Sequence, residues 1–183
     1  MRICVIAGTN RAGSNTLKLA TRVAADYRAL GAEVVLVDLQ ALPIECLAPT
    51  AYAAKPASFE PFAQAVLAAD GLVVITPEYN GSFPGALKLF IDLLPFPQSF
   101  ENRPVAFIGL AAGRWGALRP VEQLMQVFAY RNGLLFNERV FVPAAGDALG
   151  EGGRLTDPLA ESLLVQQTAH FLRYCEAVRG LRG

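Results

Sequence analysis

Apolar residues in this chain gather in short unbroken runs, separated by stretches in which they recur every three or four positions. The runs fall at Arg2–Ala7, Glu33–Asp38, 71–76, Pro104–Leu110 and 135–142. Most are continuously apolar rather than alternating, the pattern of parallel strands covered on both faces. Between them the period changes to that of a helix. Over 14–30, Leu17, Ala20, Ala24 and Tyr27 share one face and Gly31 is a natural terminator. Further helices are predicted at 59–69, at 83–94 and at about 119–130. The last begins at Asp157-Pro158 and places Leu164, Phe171, Cys175 and Val178 on one stripe. Strands alternating with helices predict an open α/β sheet with right-handed crossovers. Neither an internal repeat nor a second core pattern interrupts the series, so 1–183 is expected to form one domain. Two stretches read as loops, 39–58 and the glycine-rich 146–153. The first is long enough that it either covers something or is mobile.

Composition narrows the function classes. Hydrophobic residues make up 53% of the chain and charged residues 17%, which excludes disorder. Sixteen basic and sixteen acidic residues cancel, so no global field favours nucleic acid or an anionic membrane. The low charge fits burial of part of the surface in an oligomer, or simply an apolar core. Cys4, Cys46 and Cys175 form no C-x-x-C pair, and their odd number argues against a disulfide framework. His170 is the single histidine and cannot supply a histidine-based metal site. The apolar run at the N-terminus ends at Gly8, too short for a signal segment, and no run approaches membrane-spanning length. A reduced, cytoplasmic protein is expected.

In such sheets the ligand lies beyond the carboxyl ends of the strands, where strand order reverses. Three loops leave strand ends with unusual composition. The first, from Gly8 to Thr16, offers hydroxyls on Thr9, Ser14 and Thr16, an amide on Asn15 and a guanidinium on Arg11, next to a helix start. Free N–H groups and the helix dipole favour an anion there, and a guanidinium can grip two phosphate oxygens. The plainer alternative is that Ser14 only caps the helix and Arg11 is solvated. The second loop follows Thr76 and contains Pro77, Glu78, Tyr79, Asn80 and Gly81. Asn80-Gly81 can take positive φ and present N–H groups to a heteroaromatic ring, Tyr79 can give it a flat contact, and Ser82 is expected to cap the next helix. The third loop holds Ala111, Ala112, Gly113, Arg114 and Trp115. Its small residues let a ligand approach the backbone; Trp115 belongs either to a ligand rim or to packing under the loop or at a subunit contact.

GTNRAGSNT together with TPEYNGSFPGALKLFID resembles the NADPH-dependent FMN reductase family across essentially the whole chain. The resemblance implies a flavodoxin-like fold, a five-stranded parallel sheet in the order 2-1-3-4-5. It implies bound FMN, NADPH or NADH as hydride donor, and a ping-pong cycle that delivers hydride to flavin, quinone, azo or similar small-molecule acceptors. Thr9, Arg11, Ser14 and Thr16 would then hold the FMN phosphate, with Asn15 also among the cofactor-binding residues. Pro77, Glu78, Tyr79, Asn80 and Gly81 would line the ribityl chain and isoalloxazine, with Gly113 closing over the ring. Arg114 and Trp115 would form the substrate and nicotinamide rim, in a homodimer or homotetramer. Two departures stand out: Asn15-Thr16, where many members have a hydrophobic or small residue followed by Asn, and Ala111, Ala112, Arg114 and Trp115, where Ser and Gly-Gly are frequent. The second bears on acceptor choice more than on flavin binding.

Flavin carries its own hydride chemistry, so the lack of a Ser-His-Asp set agrees with this reading. The rivals are an FMN-binding electron carrier, which would be strongly acidic, and a flavin-binding regulatory module without nicotinamide turnover. His170 is expected to be exposed or at an interface rather than catalytic, and Cys4 to be inert in a buried strand.

Overall fold

The computed structural model describes residues 1–181. Its sheet contains β1 (Arg2–Ala7), β2 (Glu33–Asp38), β3 (Gly71–Pro77), β4 (Pro104–Leu110), β5 (Leu134–Leu135) and β6 (Val140–Val142). The order is β2-β1-β3-β4-β5, with β6 also on β4, and every pairing is parallel. The helices are α1 (Asn15–Ala29), α2 (Glu60–Leu67), α3 (Gly85–Leu93), α4 (Leu118–Tyr130) and α5 (Pro158–Ala177).

Alternation along the central strands divides the core in two. Ile3, Val5, Val73, Ile75, Ala106 and Ile108 point to the side covered by α1 and α5, where Leu19, Val23, Tyr27 and Phe171 meet them. Cys4, Ile6, Leu72, Val74, Val105 and Phe107 point the other way, against Leu87, Phe90, Leu124 and Phe128 of α3 and α4. All residues of β3 and β4 are buried, which is why those runs carry no polar alternation. The long 39–58 stretch is a cover: successive 3-10 turns bury Leu39, Cys46 and Ala51 against that second core.

Two expectations need correction. The predicted fifth strand at 135–142 is split into β5 and β6, because Asn137, Glu138 and Arg139 are polar and exposed. The side chain of Gln167 bridges the gap: its Nε2 donates to Phe107 O at 3.0 Å and to Glu138 O at 2.7 Å. Nor does Ser82 cap α3. The helix begins at Gly85 behind an extended Pro84 that makes no side-chain cap bond, since a residue before proline is kept out of helical geometry. Ser82 Oγ lies 2.6 Å from Gln123 Oε1 instead and donates to it.

Candidate functional site

Order reverses at β1, whose loop and that of β3 leave side by side. Gly8 makes this possible. Its N–H donates to Ile75 O at 2.8 Å, and a Cβ there would stand 2.7 Å from the same oxygen. The loop then turns through Gly13 into α1. Ser14 is the N-cap, its side chain accepting from Leu17 N–H at 3.1 Å. Among the described residues no protein acceptor takes the N–H of Asn15 or Thr16, so the first turn presents free donors with the positive end of the helix dipole behind them. Arg11 is exposed, and its guanidinium enters none of the ion pairs among the described residues.

The second loop is a tight turn. Tyr79 and Ser82 exchange N–H···O bonds of 2.8 and 3.0 Å, while Asn80 and Gly81 take φ of 51° and 79°. Both central residues therefore lie in the left-handed region, as the Asn-Gly pair suggests. Tyr79 OH reaches back to Thr9 Oγ1 at 2.8 Å, and the Glu78 carboxylate faces Arg119 at 3.6 Å.

A cleft of about 480 Å³ runs between these loops, lined by Arg11, Ser14, Asn15, Thr16, Pro77, Glu78 and Tyr79. An adjoining hollow of about 390 Å³ shares Glu78, Ala111 and Ala112 with it and adds Asn80, Gly81, Gly113 and Trp115. Most of the residues singled out in the sequence are thus brought together. Thr9 lies behind the cleft, buried and bonded to Tyr79. Arg114 is exposed and lines neither space, whereas Trp115 is 59% exposed at the hollow.

The sequence reading missed two contributors. Arg119 sits on the first turn of α4 and holds Glu78. Ala145 and Gly146, beyond β6, form a fourth wall; extending the strand-end rule to a fourth loop would have found them. His170 pairs with Glu138 at 2.8 Å, away from the cleft linings. Burial pushes the Cys4 thiol up to about 12, against the opposing charges of Arg103 and Arg2, so it offers no thiolate near neutral pH. No group of metal-binding side chains occurs among the described residues, and no helix there is long and apolar enough to cross a membrane.

The chemistry of this donor set fits FMN: a polar end of N–H groups, hydroxyls and a guanidinium suits a phosphate, and a hollow where Ala111, Ala112, Gly113 and a positive-φ turn leave the backbone open suits a flat ring. Comparison with known proteins agrees. The family model for NADPH-dependent FMN reductase matches residues 1–147. An NAD(P)H-dependent FMN reductase of Pseudomonas aeruginosa is 32% identical over 183 residues, covering 98% of this chain and 98% of the relative. An NADPH azoreductase of a Bacillus species is 28% identical over 99% of this chain and 98% of its own length. Among solved structures, the flavoenzyme FerB of Paracoccus denitrificans, an NAD(P)H:(acceptor) oxidoreductase, superposes with a TM-score of 0.77 at 25% identity, covering 96% of this chain and 97% of FerB.

Proposed function

This chain belongs to the NADPH-dependent FMN reductase family, and we propose that residues 1–183 form one FMN-binding domain that transfers hydride from NADPH or NADH to small aromatic acceptors, quinones and azo compounds first. One observation carries the site assignment: the cleft joins the free N–H groups of α1 to the hollow at Ala111, Ala112 and Gly113 across the reversal of strand order.

FMN, when bound, accepts a hydride and yields it again. The protein's part is to bind and orient. Arg11, the hydroxyls of Ser14 and Thr16, and the N–H groups of Asn15 and Thr16 hold the phosphate. Pro77, Glu78, Tyr79, Asn80 and Gly81 take the ribityl chain and the ring, with Thr9 fixing Tyr79 from behind and Gly113 at the far edge. Trp115 forms a rim over an opening that donor and acceptor use in turn, a ping-pong order, with Arg114 beside it but outside the lining. Arg119, anchored by Glu78, keeps a cation at that opening. A net charge of +0 speaks against an acidic electron carrier.

We also propose a cytoplasmic homodimer or homotetramer. Three buried cysteines outside any disulfide suit a reducing compartment. Ile44, Leu47 and Tyr52 on the 39–58 cover, and Tyr130 on α4, are exposed apolar groups that a second copy would bury. Sedimentation showing only monomer at micromolar concentration would reject the oligomer. The reductase reading is tested by loading the protein with FMN and mixing it with NADPH or NADH and a quinone. Steady nicotinamide oxidation that needs both FMN and quinone supports it; bound FMN without turnover supports a carrier or regulatory module.

A further inference from the structure

The fourth wall of the cleft is held in a conformation that needs holding. Ala144 has φ of +49°, the left-handed region that a residue with a Cβ adopts only under constraint. On the far side of that turn Ala145 spends both its backbone groups on other loops. Its N–H donates to Ala111 O at 2.9 Å, and its carbonyl accepts from Asn15 Nδ2 at 2.8 Å. Ala111 in turn donates its N–H to Val142 O at 3.0 Å. The segment 143–148 is therefore strung between the loop after β4 and the first residue of α1. Asp147 and Ala148 close the turn by donating to Ala144 O at 2.9 and 3.1 Å.

Helix formation does not explain an asparagine at position 15. Ser14 already occupies the cap, and asparagine is a poor residue inside a helix because its side chain competes with the backbone. Here that side chain instead reaches 130 positions along the chain, and Asn15, Ala145 and Gly146 all line the same cleft.

We infer that Asn15 is a positioning residue. Its amide nitrogen fixes the segment 143–148 as the fourth wall and so sets how closely the phosphate end of the site is enclosed, which is a different role from gripping the phosphate with that nitrogen. The inference rests on the FMN reading for its consequence, and on the bond to Ala145 for its structure.

The test compares flavin-free wild type with Asn15→Leu and Asn15→Ala. Hydrogen exchange is read at the amides of Ala145, Asp147 and Ala148, and FMN and riboflavin are titrated separately. Losing the bond at a constrained turn raises exchange at these three amides about tenfold, with the amides of β1 and β3 unchanged. FMN binds about 3- to 10-fold more weakly, while riboflavin, which has no phosphate, binds as before. Unchanged exchange would mean that the segment is held without Asn15, and would overturn the inference. So would faster exchange with unaltered FMN affinity, or equal weakening of FMN and riboflavin. If wild type itself binds no FMN, the cofactor reading fails instead, and the exchange data still decide whether Asn15 holds the segment.

Discussion

The hydroxyl of Tyr79 stands 2.8 Å from Oγ1 of Thr9, tying the loop after β1 to the loop after β3 at the reversal of strand order. Thr9 is buried, and the same oxygen also accepts the Arg11 N–H at 3.2 Å. One side chain, that of Thr9, therefore couples the Tyr79 turn to the loop that bears Arg11. Tyr79→Phe keeps the ring and deletes the bond. It should cost about 0.5–1.5 kcal/mol in urea unfolding of the flavin-free protein. A midpoint equal to wild type would show that the loops are held otherwise.

Gln167 substitutes for missing strand. With Phe107 O and Glu138 O both satisfied by its amide, Gln167→Leu leaves two carbonyls unpaired beside the β5–β6 gap. We expect a loss of about 1–3 kcal/mol, the cost of leaving Phe107 O unpaired in the interior, because Glu138 O lies beside exposed residues and the substitution also removes the unpaired Gln167 Oε1. Denaturant unfolding with an unchanged slope checks it.

Glu161 gives a pH dependence. Burial pushes its carboxyl up, but bonds from Arg22 and the Leu155 N–H, with the charges of Arg22 and Arg154, outweigh burial and hold it below the ordinary carboxylate value. A carboxyl lowered by folding stabilises above its unfolded value of about 4.3 and loses that contribution as pH falls through the folded value. Glu161→Gln should therefore be less stable than wild type by about 1–3 kcal/mol at pH 7, and the gap should close at strongly acid pH. Thermal unfolding across pH 3 to 8 reads it; a gap independent of pH would contradict the assignment.

Much of this architecture is legible in the residues. Unbroken apolar runs mark β1, β3 and β4 because both faces of those strands are buried, and Asn80-Gly81 announces a turn that needs two positive φ values. What escaped depends on tertiary context. The 135–142 stretch reads as one strand until Gln167, from a distant helix, is seen to fill its gap. The fourth wall is hidden because Ala144 and Ala145 carry no distinctive side chain, and their conformation is imposed by Asn15 and Ala111. Pro84 did warn that α3 could not begin at Phe83, but the serine beside it suggested a cap.

Trp115 stands 59% exposed at the hollow beside Gly113. If it stacks on donor or acceptor, its loss removes about 0.5–1.5 kcal/mol of binding, a rise of about 2- to 12-fold in KM. Trp115→Ala should raise KM with kcat unchanged, the mark of contact made equally in ground and transition states. An unchanged KM for nicotinamide and quinone alike would return Trp115 to a packing or subunit-contact role.

The site assignment as a whole turns on where the FMN phosphate binds. Arg11 is the only full positive charge on the first loop, and a hydrogen bond to a charged group contributes about 1.5–3 kcal/mol. Titration of flavin-free wild type and Arg11→Ala with FMN, followed by riboflavin, measures this directly. FMN should bind Arg11→Ala about 10- to 150-fold more weakly, Arg11→Lys should fall between because it keeps the charge and loses the fork, and riboflavin should bind wild type and Arg11→Ala alike. Arg11→Ala holding FMN as tightly as wild type would place the phosphate away from the first loop and contradict the assignment.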